Sequence, residues 1–475
     1  MATLTFLGAV EGVTGSMHLL ETEHSTILLD CGLYQGRREE EAKNQEPLPI
    51  NVNKLDAVIL SHAHLDHSGR LPILVREGYG GPIYMTRPTT DLIEVLLKDA
   101  ASLQERDAEW ENKRRRRSGK PLVEPLYRQD EVDGVLALCE QTRYHTKRKI
   151  TEDVAINFAD AGHILGSAIV EIFITEGDKV KKLVFSGDLG NSQAALLRDP
   201  DIVTTADIVL LESTYGDRNH RTMEETLDEF EQVILEASEN GGNILIPSFA
   251  VGRTQEIIFR LGELYQQGKL SQQKVFLDSP MAIAVTEIYH RYQDVYNEED
   301  LDTLEESAQC SSRHSRCQKQ SLHSLLPILS YTTSTEESIA LNKVVSGAII
   351  IAGSGMCNGG RIRHHLKQNL WRKQSHVVFV GFQAIGTPGR TLVDGAKHIK
   401  MAGENIAVRA QIHTLGGFSA HASQDQLIDW LAHFEGNPKI YLVHGEDGAK
   451  DKLREAIQAN GRQASIPHLN QRLEF

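Results

Sequence analysis

The chain has 475 residues, 40% hydrophobic and 24% charged, which excludes a disordered polymer and leaves room for about two to four domains with real cores. A formal charge of −15 excludes a protein that coats nucleic acid over its whole surface, so any RNA contact has to be local. Five scattered cysteines exclude a disulfide framework, no apolar run approaches the ~20 residues of a membrane helix, and the N-terminus lacks signal-peptide order, so the chain reads as cytoplasmic with no membrane partner.

Short apolar runs at 4–7, 16–20 and 26–30, punctuated by glycine, predict an antiparallel meander. Residues 55–61 predict a buried strand running into a His-rich loop, with a helix near 71–77 and a longer one over 89–117. That helix ends in Lys113-Arg-Arg-Arg-Arg117, which reads either as a solvated face or as a local attraction for RNA. Strands return at 154–159, 168–174, 182–186 and 206–212. From about 213 the pattern changes to helical periodicity over 224–237 and strands at 243–247, 274–278, 348–352 and 376–382, separated by turns and helices. That alternation predicts a parallel α/β domain. Near 405 the character returns to strands and polar loops, so one domain (1–212 and 396–475) is expected to be interrupted by another (213–395). Cys310, His314, Cys317 and His323 mimic a zinc knuckle, but the segment is rich in Ser and Gln and has no tight Cys-x-x-Cys, so a surface loop is expected.

The strongest signal is Ser61-His-Ala-His-Leu-Asp-His67, where His62, His64, Asp66 and His67 follow an apolar strand. Imidazole and carboxylate suit zinc, and each zinc takes four ligands, or three and a water. Ligands on one loop can serve two ions without completing either. His163, Asp188 and His444 stand in matching contexts, each at a strand end beside glycine. Taken singly, each reads as a satisfied core or turn residue. Together with the loop they read as a metal centre.

This pattern resembles the metallo-β-lactamase fold, and within it the β-CASP branch of RNA-processing nucleases. Supporting segments are Thr26-Ile-Leu-Leu-Asp30, Ala161-Gly-His-Ile-Leu-Gly166, Phe185-Ser-Gly-Asp-Leu-Gly190, Glu212-Ser-Thr-Tyr-Gly-Asp217, Gly417-Phe-Ser-Ala-His421 and Leu442-Val-His-Gly445. The resemblance covers essentially the whole chain and is nearest to bacterial and archaeal relatives of the mRNA 3′-end cleavage endonuclease. It implies an α/β architecture, a metallo-β-lactamase αββα sandwich interrupted by a β-CASP α/β domain with a parallel sheet. It also implies two zinc ions per chain, the first on His62, His64, His163 and Asp188, the second on Asp66, His67, His444 and the shared Asp188. Asp30 would orient the His loop without touching metal.

The expected activity is hydrolysis of phosphodiester bonds in single-stranded RNA, endonucleolytic with exonuclease activity left open, by a hydroxide bridging the two metals. Asp66 joins the catalytic set on this reading. The departing oxygen needs a proton, for which His421 is the candidate acid and Glu212 its orienting partner. A cleft expected between the two domains suits a single strand better than a duplex. Three strand–glycine loop–helix units supply the expected phosphate contacts, Arg253, Arg361 and Arg390 with Ser354, and His364 or His365 could face the same cleft. A homodimer or a place in an RNA-processing complex stays open. Three competing readings are weaker. His444 speaks against a β-CASP DNA nuclease, since that group tends to carry an apolar residue there. The long insertion speaks against a small-molecule hydrolase, and the full ligand set against a non-catalytic RNA-processing scaffold.

Overall fold

Strands that are apolar on both faces need a layer on each side. The computed structural model describes residues 1–36, 38–307, 322–381, 383–384, 386–401 and 403–475 and supplies those layers. The chain divides into two units: Met1–Ser192, Asp199–Asn219 and His421–Phe475 form the first, Gln193–Arg198 and His220–Ala420 the second.

In the first unit two seven-stranded sheets share a core. One runs in the order Arg472–Glu474, Thr3–Phe6, His18–Glu21, Thr26–Leu29, Ala57–Ile59, Ile83–Thr86, Cys139–Thr142. The other runs Ala464–Ser465, Lys439–Val443, Ile208–Glu212, Lys179–Phe185, Ala168–Glu176, Val154–Asp160, Arg148–Lys149. Because side chains alternate along a strand, Leu183, Phe185, Ile208, Leu210 and Val443 meet Leu4, Phe6, Leu20, Ile27 and Ile59 of the facing sheet. The intervening Val184, Val209, Leu211 and Leu442 pack outward on Leu427, Leu431, Leu453 and Ile457 of the helices Gln424–Ala432 and Asp447–Ala459. Each such side chain contributes about 1.5–3 kcal/mol by leaving water. The predicted meander is present: the strands from Thr3, His18 and Thr26 pair antiparallel in sequence order. The long helix, Arg87–Arg117, starts where the Thr86 hydroxyl caps it and Pro88 occupies its first turn. Its fully buried residues end at Ala101, so the remaining turns carry no core side chain.

The second unit holds the predicted parallel sheet, six strands in the order Leu329–Tyr331, Lys274–Leu277, Ala348–Ala352, Ile244–Pro247, His376–Phe379, Gln411–Thr414. The helix Met223–Asn240 is bounded as its ends dictate, by a Thr222/Glu225 capping box and by Gly241 in the left-handed conformation. Both boundaries differ from the sequence reading: the second unit starts at His220 and not at 213, and also takes in Gln193–Arg198. The return to the first unit falls at His421 and not at 396, because Gln411–Thr414 pairs with His376–Phe379 and Ile406 and Ala410 join that unit's core. The polar alternation of this edge strand mimics an antiparallel strand of the first domain. Cys310, His314 and Cys317 lie outside the described residues, while His323 stacks on Tyr331 at 5.9 Å.

Candidate metal centre and active site

The strands Lys179–Phe185, Ile208–Glu212 and Lys439–Val443 run parallel side by side, so Asp188, Glu212 and His444 emerge at one sheet edge. In the facing sheet Thr26–Leu29 and Ala57–Ile59 are also parallel and deliver Asp30 and the 61–67 loop. Asp66 and His67 sit on the one-turn helix Leu65–Ser68. His163 sits in the turn between Val154–Asp160 and Ala168–Glu176. Two glycines are required for this convergence. A Cβ at Gly32 would lie 1.6 Å from the Asp66 carbonyl oxygen, and one at Gly190 would lie 2.0 Å from that of Gly162, next to His163.

The geometry is that of ligands around cations. The ligand atoms of His62, His64, His163 and Asp188 lie within 4.8 Å of one another, as do those of Asp66, His67 and His444. Nδ1 of His64 is 3.2 Å from Nε2 of His62 and 3.1 Å from Nε2 of His163. Nε2 of His67 and Nε2 of His444 face each other at 3.1 Å. Asp188 joins the two groups. Its Oδ2 is 3.4 Å from His62 and 3.6 Å from His163, while its Oδ1 is 3.3 Å from His67 and 3.4 Å from His444. Oδ2 of Asp66 is 3.5 Å from His444. Oδ1 of Asp188 is buried and accepts no hydrogen bond among the described residues. A buried carboxylate oxygen left in that state, with the imidazole nitrogens of His67 and His444 converging on it, fits a bound cation.

Electrostatics support the same reading. Burial is the main reason that His62 lies well below the ordinary imidazole range and His64 falls to about 4, which keeps both rings neutral and able to ligate. At His67 burial is outweighed by Asp188 and Asp30, which hold its pKa well above the usual value, so a cation binding there has to displace the proton on Nε2. Burial would raise Asp188 and Asp66, but His444 and its imidazole neighbours win, keeping Asp188 ionised and bringing Asp66 to about 2. Asp30 is fully buried, 2.6 Å from Nδ1 of His67, and its Oδ1 accepts the Ser61 amide at 2.8 Å. A proton donated from Nδ1 of His67 to Asp30 leaves Nε2 as the ligating atom.

His421 lies beside this cluster, its backbone bridged to Gly190. Its Nδ1 is 3.2 Å from Oε1 of Glu212, and Glu212 is fully buried and held by the amides of Leu189 at 2.9 Å and Thr214 at 3.1 Å. Burial lowers the His421 pKa, but Glu212, Asp188 and Asp66 together raise it to about 9, so the ring carries a proton at neutral pH. Sequence reasoning missed two polar groups here. Thr214 places its hydroxyl 3.3 Å from Nδ1 of His444, and Ser16 donates to Asp30 at 3.1 Å. Thr214 follows Glu212 closely enough to have been suspected; for Ser16 the sequence carries no signal.

The expected phosphate contacts of the second unit fare differently. Arg253 is buried against Glu256, so a phosphate contact would have to break an internal ion pair. Arg361 pairs with Asp278 at 2.7 Å and donates to the carbonyls of Thr332 and Thr333. His365 is buried on Asp278 at 2.6 Å and does not face a cleft. Arg390 has an exposed guanidinium, paired with Asp394 one turn on, and Ser354 exchanges hydrogen bonds with the backbone of Gly359.

Three family models match the chain: a metallo-beta-lactamase superfamily domain over residues 19–213, a Beta-Casp domain over 254–392, and a Zn-dependent metallo-hydrolase RNA specificity domain over 405–467. A protein named Ribonuclease TTHA0252 from Thermus thermophilus is 39% identical over 464 residues, spanning 97% of this chain and 96% of its own length. A protein named Transcription termination factor FttA from Methanocaldococcus jannaschii is 30% identical over 94% of this chain and 67% of its own length. A solved structure of a protein of unknown function from Enterococcus faecalis, at 13% identity, aligns over 99% of both chains with a TM-score of 0.55 and shares the fold. The chain belongs to the β-CASP family of metal-dependent metallo-β-lactamase hydrolases. Among the described residues no helix is long and apolar enough to cross a membrane.

Proposed function

We propose that this chain is a zinc-dependent ribonuclease that hydrolyses phosphodiester bonds of single-stranded RNA in the cytoplasm. The observation that carries this reading is Asp188, whose two carboxylate oxygens face two separate sets of imidazoles. On this reading His62, His64 and His163 hold one ion, Asp66, His67 and His444 hold another, and Asp188 is common to both. The five imidazoles favour zinc over magnesium, which takes oxygen ligands. Divalent cations held there supply activation of water near neutral pH and neutralise phosphate charge.

The chain's own side chains do the rest. Asp30 keeps the His67 ring turned so that Nε2 faces Asp188. Glu212 holds Nδ1 of His421, which leaves Nε2 to give its proton to the departing oxygen. Support for RNA as the polymer comes from the RNA specificity domain and from relatives named as a ribonuclease and as transcription termination factors. Cleavage is endonucleolytic, with trimming from an end as a second mode, and Ser354 and Arg390 contact phosphates.

The test is to incubate the zinc-loaded protein with labelled single-stranded RNA, duplex DNA and a lactam, alongside His421→Ala. The expected result is cleavage of RNA alone, lost in the variant while zinc is retained. Intact RNA with metal-loaded wild type overturns the proposal, and cleavage of duplex DNA in preference to RNA replaces it with the DNA nuclease reading.

A further inference from the structure

The last turns of the helix Arg87–Arg117 and the residues just beyond it take no part in the site described above. Residues 113–120 carry six cations and no carboxylate, in a chain of net charge −15. Glu111 engages Arg114 at 3.4 Å and Arg115 at 3.0 Å. Among the described residues no ion pair holds Lys113, Arg116, Arg117 or Lys120, and all four are exposed. One or two cations satisfy the dipole of a helix C-terminus, so this number exceeds what the helix needs.

The cations flank an aromatic surface. Trp110 is 61% exposed, and the Arg114 guanidinium lies over its ring at 4.9 Å. Arg106, Trp110, Lys113, Arg114 and Arg117 recur at helical spacing and are all exposed, so they form one stripe about 16 Å long. The opposite side of the helix is occupied. Asn112 exchanges two hydrogen bonds of 2.8 Å with the backbone of Val123, and Gln104 accepts from the Leu126 amide at 3.1 Å. The returning segment thus fixes the rotation of the helix and turns the stripe to solvent. Glu105, Asp107 and Glu109 lie before the basic run and confine the positive surface to its final turns.

We propose that this stripe, with the exposed Arg116 at its edge beside Lys113, is a second binding surface for single-stranded RNA, in which Lys113, Arg116 and Arg117 contact phosphates and Trp110 with Arg114 stacks on a base. A polyanion that also offers flat faces matches both halves of the stripe, the unpaired cations and the exposed indole. The identity of the polymer rests on the ribonuclease reading; the stripe itself does not.

The test uses full-length protein carrying His421→Ala, so that RNA is bound and not consumed. Affinity for a labelled single-stranded RNA is measured against salt concentration. Replacing Lys113, Arg116 and Arg117 by Gln should flatten the slope of log Kd against log salt by about 2, at roughly 0.7 per phosphate contact. Trp110→Ala should weaken binding about tenfold. Arg116→Lys with Arg117→Lys should keep the parent slope, which separates lost charge from misfolding. Unchanged slope and affinity in the triple variant overturn the proposal. Cleavage assays of the same substitutions with His421 in place separate the two readings. Cleaving wild type with unaffected RNA binding in the variants sinks the stripe alone. Wild type that leaves RNA intact, with binding lost in the variants, sinks the nuclease reading alone.

Discussion

Each unit buries an aspartate against histidine, and the surroundings of the two carboxylates differ in kind. Asp278, in the second unit, accepts from Thr332 at 2.5 Å and Arg361 at 2.7 Å on one oxygen, and from Ser338 and His365, both at 2.6 Å, on the other. Burial would raise its pKa, but these partners outweigh burial and hold it well below the usual carboxylate range. Asp188, in the first unit, has an oxygen that accepts no hydrogen bond among the described residues and faces two imidazoles instead. Donors with hydrogens complete a buried carboxylate from within the protein. Lone pairs do not, and the charge then calls for a cation from outside. Residue types alone do not separate a structural cluster from a metal centre; the direction of the remaining lone pairs does.

Substitutions that exchange these roles test the contrast. The largest effect is expected from Asp188→Ala, which removes the carboxylate common to both ligand sets: elemental analysis should find metal lost, and RNA cleavage should fall below detection. Metal content equal to wild type would break the comparison. His421→Ala should slow cleavage by about 10²–10⁴-fold with metal retained, the range of a general acid. With His421 as the donor, activity is present while the ring is protonated and is lost as pH rises through about 9. Glu212→Gln removes the neighbouring charge and should move that alkaline limb to lower pH in a kcat profile.

Asp30→Asn should weaken metal affinity by about 10–100-fold, because His67 loses the acceptor that fixes its ring. A chelator competition assay measures this. The smallest catalytic effect belongs to Asp278→Asn, which should leave kcat and metal content alone while costing about 3 kcal/mol of stability in denaturant unfolding, since it strands buried partners. The stabilisation from Asp278 is present above the ordinary carboxylate pKa and fades as pH falls toward the lowered one, so the variant should also lose part of the wild type's acid sensitivity.

Local chemistry was readable along the chain wherever partners are close in sequence. Loop 61–67 places His62, His64, Asp66 and His67 after one apolar strand, and period-two alternation and capping signals are properties of short windows. The motifs around Asp30, His163, Asp188, Glu212, His421 and His444 identified the family for the same reason. The tertiary structure decided where long-range partners are needed. It gave Arg361 to Asp278, 83 positions away, and enclosed Arg253 with Glu256, so two arginines expected to contact phosphates are held in ion pairs within the unit. It carried Gln411–Thr414 into the parallel sheet and moved the domain boundary to His421. It also set the two oxygens of Asp188 toward different imidazoles. A side chain's type announces what it can donate or accept, whereas the group that meets it depends on which strands lie side by side, and that is settled by packing over the whole core.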